Sequence, residues 1–266
     1  MIINPYRFGI SCDIDAQTFN TNAGITNPTQ QSAVCQLVAD LKSYGLWTKM
    51  YAIYPLVGGT ATTHKYNLKN PLDTNAAYRL TFNGGWTHSS TGMLGNGSNT
   101  YAVTYLGINV LPQNSAHLSF YSRTNSNGNF IDIGGYQTSI NFNSVMLARS
   151  GGNFVVRLNT NGFVDASQAN TNSQGFYQAV RNNSTQLITK KSNNAGVTFS
   201  NNSITAGAFT NSYYLGNANF NGSPLGGYYS NRDYSFFSLG EGLTSTEQTN
   251  FYTAVQAYQT TLGRQI

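Results

Sequence analysis

The sequence predicts a mainly β chain, an antiparallel sandwich or barrel held between helical ends. Three observations predict it. From about residue 60 to about residue 243 the chain reads as short strand-forming runs, several alternating with a period of two. Between the runs lie Gly/Asn turn signals such as Asn83-Gly84-Gly85, Asn127-Gly128, Gly151-Gly152-Asn153, Asn161-Gly162 and Asn221-Gly222. At both ends the apolar spacing changes to that of a helix.

The first helix is expected over about residues 13–23, stopped by Gly24, with Phe19 and Ala23 on one face. The second opens with Asn27 as N-cap and Pro28 at the first helical position. Ala33, Val34, Leu37, Val38, Leu41 and Tyr44 form its apolar stripe, and Gly45 supplies a left-handed stop. Residues 50–54 are a compact apolar run, helix end or strand, halted by Pro55. Strands are expected at 78–82, 101–106, 117–122, 130–133, 144–148, 154–158, 175–181, 184–190, 212–215 and 234–239. Within 117–122, Leu118, Phe120 and Ser122 face one way and His117, Ser119 and Tyr121 the other, the pattern of a half-buried strand. The glycine-rich stretch 92–97 reads as a turn, since it does not lead from a strand into a helix as a phosphate-binding loop does. A closing amphipathic helix starts at the capping box Thr244-x-x-Glu247, carries Phe251, Val255, Tyr258 and Leu262 on one face, and stops at Gly263. A boundary near 58–63 divides a helical lead-in or anchor, residues 1–58, from the sandwich, residues 59–266. A lead-in this short is expected to dock on the sandwich.

Composition sets limits on function. Only 9% of the residues are charged, against a usual ~25%. Aromatics reach 13%, with 18 Tyr and 15 Phe, which excludes a disordered chain. A surface made polar by Asn, Thr, Ser and Gly suits an extracellular or virion setting. The net charge of +5 arises from 14 basic against 9 acidic residues. The basic residues are scattered, with Lys190-Lys191 the one adjacent pair, so specific nucleic-acid binding is not expected. No run approaches the ~18 apolar residues of a membrane span, and no membrane insertion is expected. The opening Met1-Ile2-Ile3-Asn4-Pro5-Tyr6-Arg7 lacks the basic stretch and apolar run of a signal peptide. The two cysteines, Cys12 and Cys35, form no CxxC pair; a bridge between them is permitted, but free or buried thiols are expected.

Three segments carry a resemblance. The run Ala77-Tyr78-Arg79-Leu80-Thr81-Phe82-Asn83-Gly84-Gly85-Trp86-Thr87-His88-Ser89-Ser90-Thr91-Gly92, with Gly95-Asn96-Gly97 after it, resembles the opening of concanavalin/laminin-G-like modules of bacteriophage structural proteins. The run from Tyr234 to Thr244, leading into the helical run from Phe251 to Arg264, is similar to the closing segment of those modules. Leu46-Trp47-Thr48-Lys49-Met50-Tyr51-Ala52-Ile53-Tyr54-Pro55 with Gly58-Gly59 is similar to segments of phage and environmental virus proteins. The resemblance implies an antiparallel lectin-like (jelly-roll) sandwich in a tail, head-fibre or decoration protein at the particle surface. It implies other virion proteins, further copies of the chain and a host-surface glycan as partners.

Catalysis lacks its parts. Glycosidases need two carboxylates flanking the bond they cleave. Within the sandwich no two acids stand two or four apart; Asp13 and Asp15 do, but at a helix start, where acids meet the helix dipole. A pair from distant strands, such as Asp132 with Asp165, stays open, and with it a glycan-degrading hydrolase. His64, His88 and His117 are read as forming no close pair, and no metal site is expected. Related lectin-like modules hold calcium through Asp, Asn and carbonyl oxygens, but Asp132, Asp165 and Asp233 lie in no dense acidic loop, so no cofactor is expected. Sugar recognition needs an aromatic face and amides for hydroxyls. Trp86, Tyr101, Tyr136, Tyr228 and Tyr229 sit in or beside Asn/Gly-rich turns, with His88 and Asn231 as polar neighbours. These seven are the candidate ligand-binding residues. The competing role for each aromatic is packing, in the sandwich or against a neighbouring subunit, which would make the chain a scaffold without a ligand.

Overall fold

A computed structural model describes residues 12–207 and 210–266. The opening Met1–Arg7 run, read above as no signal peptide, lies outside the described residues. The chain begins with α1 (Ile14–Asn22) and α2 (Pro28–Ser43), then β1 (Met50–Tyr54) and the single turn α3 (Ala61–His64). There follow β2 (Thr81–Asn83), β3 (Thr87–Ser89), β4 (Gly92–Leu94), β5 (Tyr101–Gly107), β6 (Ala116–Ser122) and β7 (Ile133–Gln137). Next come β8 (Phe142–Ser150), β9 (Asn153–Asn161), β10 (Ala166–Ala169), β11 (Gly175–Arg181), β12 (Gln186–Lys191) and β13 (Val197–Ser200). The last elements are β14 (Ser212–Leu215), β15 (Ala218–Phe220), β16 (Ser223–Pro224), β17 (Asp233–Gly240) and α4 (Ser245–Thr261).

The strands form a two-sheet lectin-like sandwich. One sheet runs β13-β12-β11-β6-β17-β4-β3, with β1 also paired to β17. The other runs β10-β9-β8-β7-β14-β5-β2 and carries β15 and β16 at its side. Every pairing is antiparallel except β15 with β7, which is parallel. Between the sheets lies the main core, including Leu118, Phe120, Ile133, Met146, Phe154, Val156, Tyr177 and Phe237.

A second core covers the outer face of the first sheet. Ala33, Val34, Leu37, Val38 and Leu41 of α2, with Phe251, Val255 and Tyr258 of α4, pack on Tyr121, Phe176, Val180 and Phe236. The half-buried pattern expected for 117–122 is therefore corrected: all of β6 is buried, one face in each core. The polar residues of its outer face are satisfied internally. His117 Nδ1–H donates to the Glu241 carbonyl at 2.6 Å, so its Nε2 accepts from Ser238 Oγ at 3.0 Å.

The helix termini follow the caps. Asn27 accepts from the Gln30 amide at 3.1 Å, and Thr244 and Glu247 form the reciprocal box. The thiol expectation is overturned: Cys12 and Cys35 form a disulfide, tying the residue before the α1 cap to α2. With Cα atoms 5.1 Å apart, the bridge has an ordinary span.

Strand boundaries moved where side chains replaced backbone pairing. Residues 130–132 are not strand, because Asp132 bends the chain and its carboxylate accepts the Ala148 amide at 2.6 Å. Tyr78 adopts a left-handed turn (φ 59°), so β2 starts later than expected. The stretch 92–97 is not all turn. Its first three residues form β4, which can pair with β17 because a Cβ on Gly92 would strike the Tyr234 carbonyl.

Phe251 is fully buried and meets the rings of His117, Phe176 and Phe236. Phe251→Ala is expected to cost ~3–5 kcal/mol by lost burial and a residual cavity. Urea unfolding followed by circular dichroism measures this.

Candidate functional site

The outward face of the second sheet is not plain surface. On β8, Phe142, Met146 and Ala148 point into the main core, while Asn143, Val145 and Leu147 point out. On β9, Phe154, Val156 and Leu158 point in, and Val155 and Arg157 out. Tyr136 of β7 and Ala218 and Phe220 of β15 complete the outward set. Ile131 and Leu225 close over Val145, Leu147 and Ala218 to make a small third apolar cluster.

These residues line a cavity of about 360 Å³, within the ~300–1,000 Å³ range of small-molecule sites. Its floor is Val145, Leu147, Val155 and Ala218. Gly134 keeps that floor low, since a Cβ there would come within 2.7 Å of the Ala218 Cβ and 2.9 Å of Val145 Cγ1. An aromatic wall stands beside it: Tyr136 stacks on Phe220 with ring centres 5.2 Å apart, and Phe163 tilts against Tyr136 at 5.5 Å. Phe163 is 66% exposed, a large apolar face left open at the cavity. Arg157 lies over the Phe163 ring at 4.8 Å and pairs with Asp165 at 2.5 Å. Asn143 is buried, and its side-chain oxygen has no hydrogen-bond partner among the described residues.

Of the seven residues singled out from sequence, Tyr136 and Tyr228 line this cavity. The other five stand elsewhere. Trp86 packs on the main core and donates from Nε1 to the Tyr101 carbonyl at 3.2 Å. Tyr101 stacks on Tyr214 at 4.9 Å. Tyr229 is half-buried in the loop before β17, and Asn231 accepts from Ser126 Oγ at 3.1 Å. Arg157, Phe163, Phe220 and Asn143 were missed. Phe163 and Phe220 each flank an Asn-Gly turn, the signal that had selected the other aromatics.

The histidine reading is corrected. His64 and His88 are a close pair, with Nδ1 atoms 2.9 Å apart. Gly59 N–H donates to His64 Nε2 at 3.2 Å, so His64 carries its proton on Nδ1 and donates it to His88 Nδ1. The edge strand β3 brings the rings together by lying against the Gly59 loop. Burial pushes His64 down to about 3, with the neighbouring His88 adding to the effect, and burial also lowers His88. Among the described residues no cluster of three or more His, Cys, Asp or Glu side chains could hold a metal ion. No described helix is long and apolar enough to cross a membrane.

The two carboxylates left open for catalysis differ in setting. Asp165 lines the cavity. Asp132 is fully buried and ion-paired with Arg232 at 3.4 Å.

The fold places the chain among lectin-like β-sandwich domains. It is similar to a mutant of Trypanosoma rangeli sialidase displaying trans-sialidase activity, with a TM-score of 0.56 and 10% identity, covering 86% of this chain and 39% of that one. It is also similar to the botulinum neurotoxin serotype D binding domain (TM-score 0.53, 9% identity, 78% of this chain and 52% of that one). The binding domain of botulinum neurotoxin DC, in complex with rat synaptotagmin II, gives a TM-score of 0.55 at 10% identity, covering 79% of this chain and 52% of that one. The chain thus spans about half the length of the toxin domains and about two fifths of the sialidase. No protein-family model and no curated protein matches the sequence.

Burial also holds His117 down, to about 4. The unfolded chain protonates its histidines near pH ~6.5 while folded His64 and His117 stay neutral. Their contribution is therefore complete above pH ~6.5 and declines as pH falls toward 4, by up to ~1.4 kcal/mol per pH unit for each. Asp132 and Asp233, raised by burial, act in the opposite sense as pH falls. The histidine contribution is thus expected as the difference in pH slope, by urea unfolding, between the wild type and a His64→Gln, His117→Gln double variant.

Proposed function

We propose that the chain is a non-enzymatic bacteriophage virion protein that binds a host-surface glycan in the cavity on the open sheet. The observation that carries the reading is the aromatic wall of Tyr136, Phe220 and Phe163 beside Arg157, Asp165 and Asn143. Aromatic faces take the C–H side of a sugar ring, and amide and charged groups take its hydroxyls. Similar folds in a sialidase and in toxin binding domains accord with a binding role. The non-enzymatic part is supported by the lining of the cavity, which includes one carboxylate, Asp165, already committed to Arg157; retaining and inverting glycosidases use two. The virion setting, surface display and partnership with other virion proteins or further copies rest on the resemblance of segments 77–97 and 234–264 to phage modules.

A second reading, a bracing subunit without ligand, draws on Phe163 and Val164, which are 66% and 53% exposed and could be covered by a neighbouring subunit. A glycan array with the whole chain separates the two. Binding is expected, with affinity lowered at least ~10-fold, about 1.4 kcal/mol, in Phe220→Ala and unchanged in Tyr101→Ala. An array without hits, and an assembly that buries Phe163, would favour the bracing subunit. Release of reducing sugar would overturn the non-enzymatic reading.

A further inference from the structure

We infer that the cavity is built for a 2-acetamido sugar, an N-acetylated hexosamine, and not for a plain hexose. The inference rests on the glycan-binding reading above and deepens it. A plain hexose has hydroxyls around its whole edge. Seating that edge on Val145, Leu147, Val155 and Ala218 would strip hydroxyls of water with no partner to replace it. An acetamido group reverses this. Its methyl is the apolar end that such a floor accepts, while its amide supplies one donor and one acceptor a fixed distance away.

The polar groups of the cavity match that amide. Asn143 stands on β8 two residues before the floor residue Val145, on the same face. It is 1% exposed, and its side-chain oxygen meets no donor within the described residues. A buried acceptor left without a donor is unfavourable in the free protein, and a ligand N–H removes that deficit. The acetamido N–H is such a donor, carried next to a methyl. Arg157, on the neighbouring strand β9 and held by Asp165 and the Phe163 face, offers the cationic donor for the acetamido carbonyl. Tyr136 and Phe220 are left for the face of the pyranose ring. Gly134 is part of the same design, since any side chain there would raise the floor where the methyl is seated.

The test compares methyl 2-acetamido-2-deoxy-β-glucoside with methyl β-glucoside, titrated calorimetrically into the whole chain. The acetamido glycoside is expected to bind at least ~10-fold tighter, and its methyl protons to receive the strongest saturation transfer from the protein. Asn143→Leu, close in volume but without the acceptor, is expected to abolish the preference, and Asn143→Asp, which keeps an acceptor, to retain most of it. Saturation transfer on the wild type guards against a variant that does not fold. Equal affinity for both glycosides, or saturation centred on the ring and not the methyl, overturns the acetamido assignment and leaves glycan binding standing. No binding of either glycoside, with no hit on the array, removes both readings.

Discussion

The two sheets are fastened at one end by an ion pair with no access to water. Asp132 and Arg232 are both fully buried, the single such pair among the described residues. Desolvation raises Asp132, and Arg232 opposes it. The carboxylate also accepts the Ala148 amide from β8 and the Tyr234 hydroxyl from β17. Arg232 donates onward to the Ser126 carbonyl at 3.0 Å. One carboxylate thus joins a strand of each sheet to the loops between them. A pair of this kind adds little net stability over well-packed apolar residues, while loss of one partner costs ~3–5 kcal/mol. Its effect here is on geometry. Asp132 donates its amide to Met146 and accepts from Gly216, and next to it Ile131 donates to the Tyr228 carbonyl at 3.0 Å. Ile131 and Tyr228 both line the cavity, so the network that fastens the sheets also sets the position of the cavity's cover.

Two further buried arginines explain how a chain so poor in charge uses the charges it has. Arg181 donates to the carbonyls of Leu158, Gln186 and Asn201, and Arg264 to those of Leu56, Pro55 and Ser235. Burial lowers both, Arg181 to about 10, which still leaves it charged at neutral pH. Each guanidinium therefore needs several acceptors, and each finds acceptors on segments distant in the sequence, Arg181 on Leu158 of the other sheet among them. Arg264 joins the end of α4 to the chain just after β1. That contact joins the apolar stripe in holding the helical layer on the first sheet.

What the sequence disclosed was local. The caps of α2 and α4, their apolar stripes, and the strands Gly175–Arg181 and Ser212–Leu215 lie within a few residues of their own signals. The short strands Thr87–Ser89, Ala166–Ala169 and Ala218–Phe220 were not seen, because they are short and, unlike Ser212–Leu215 with its two tyrosines and leucine, carry too few large apolar residues to stand out. Pairings distant in sequence were invisible for a different reason. His64 and His88 are 24 positions apart, and nothing near either residue says that β3 runs along the Gly59 loop. The disulfide was passed over in favour of free thiols for the same reason, since it depends on how α1 meets α2. One of the three rings of the cavity's aromatic wall was legible as turn-flanking tyrosine, Tyr136. Its partner Phe220 arrives through the parallel pairing of β15 with β7, which no local pattern encodes.

The cavity owes its shape to the period of two that makes strands recognisable in the first place. Inward residues of β8 and β9 fill the sandwich, and the residues between them build the floor and Arg157. The floor and the Tyr136–Phe220 part of the wall therefore stand on paired strands, with Phe163 in the turn after β9, and the strand-borne spacing is fixed by the 4.7–4.9 Å separation of neighbours in a sheet. A site held this way is shaped before any ligand arrives, so little ordering remains to be done on binding. The coupling also runs the other way. A register slip of one residue in β8 would move Val145 and Leu147 into the core and Met146 out of it, destroying core and cavity together. The register shift opposite Asn143 and Val145 falls on β9, where the three steps from Arg157 to Thr160 face two on β8, so β8 keeps its alternation and Asn143 shares the outward face with Val145. The orphan acceptor and the apolar floor are neighbours because they stand two residues apart on one regular strand.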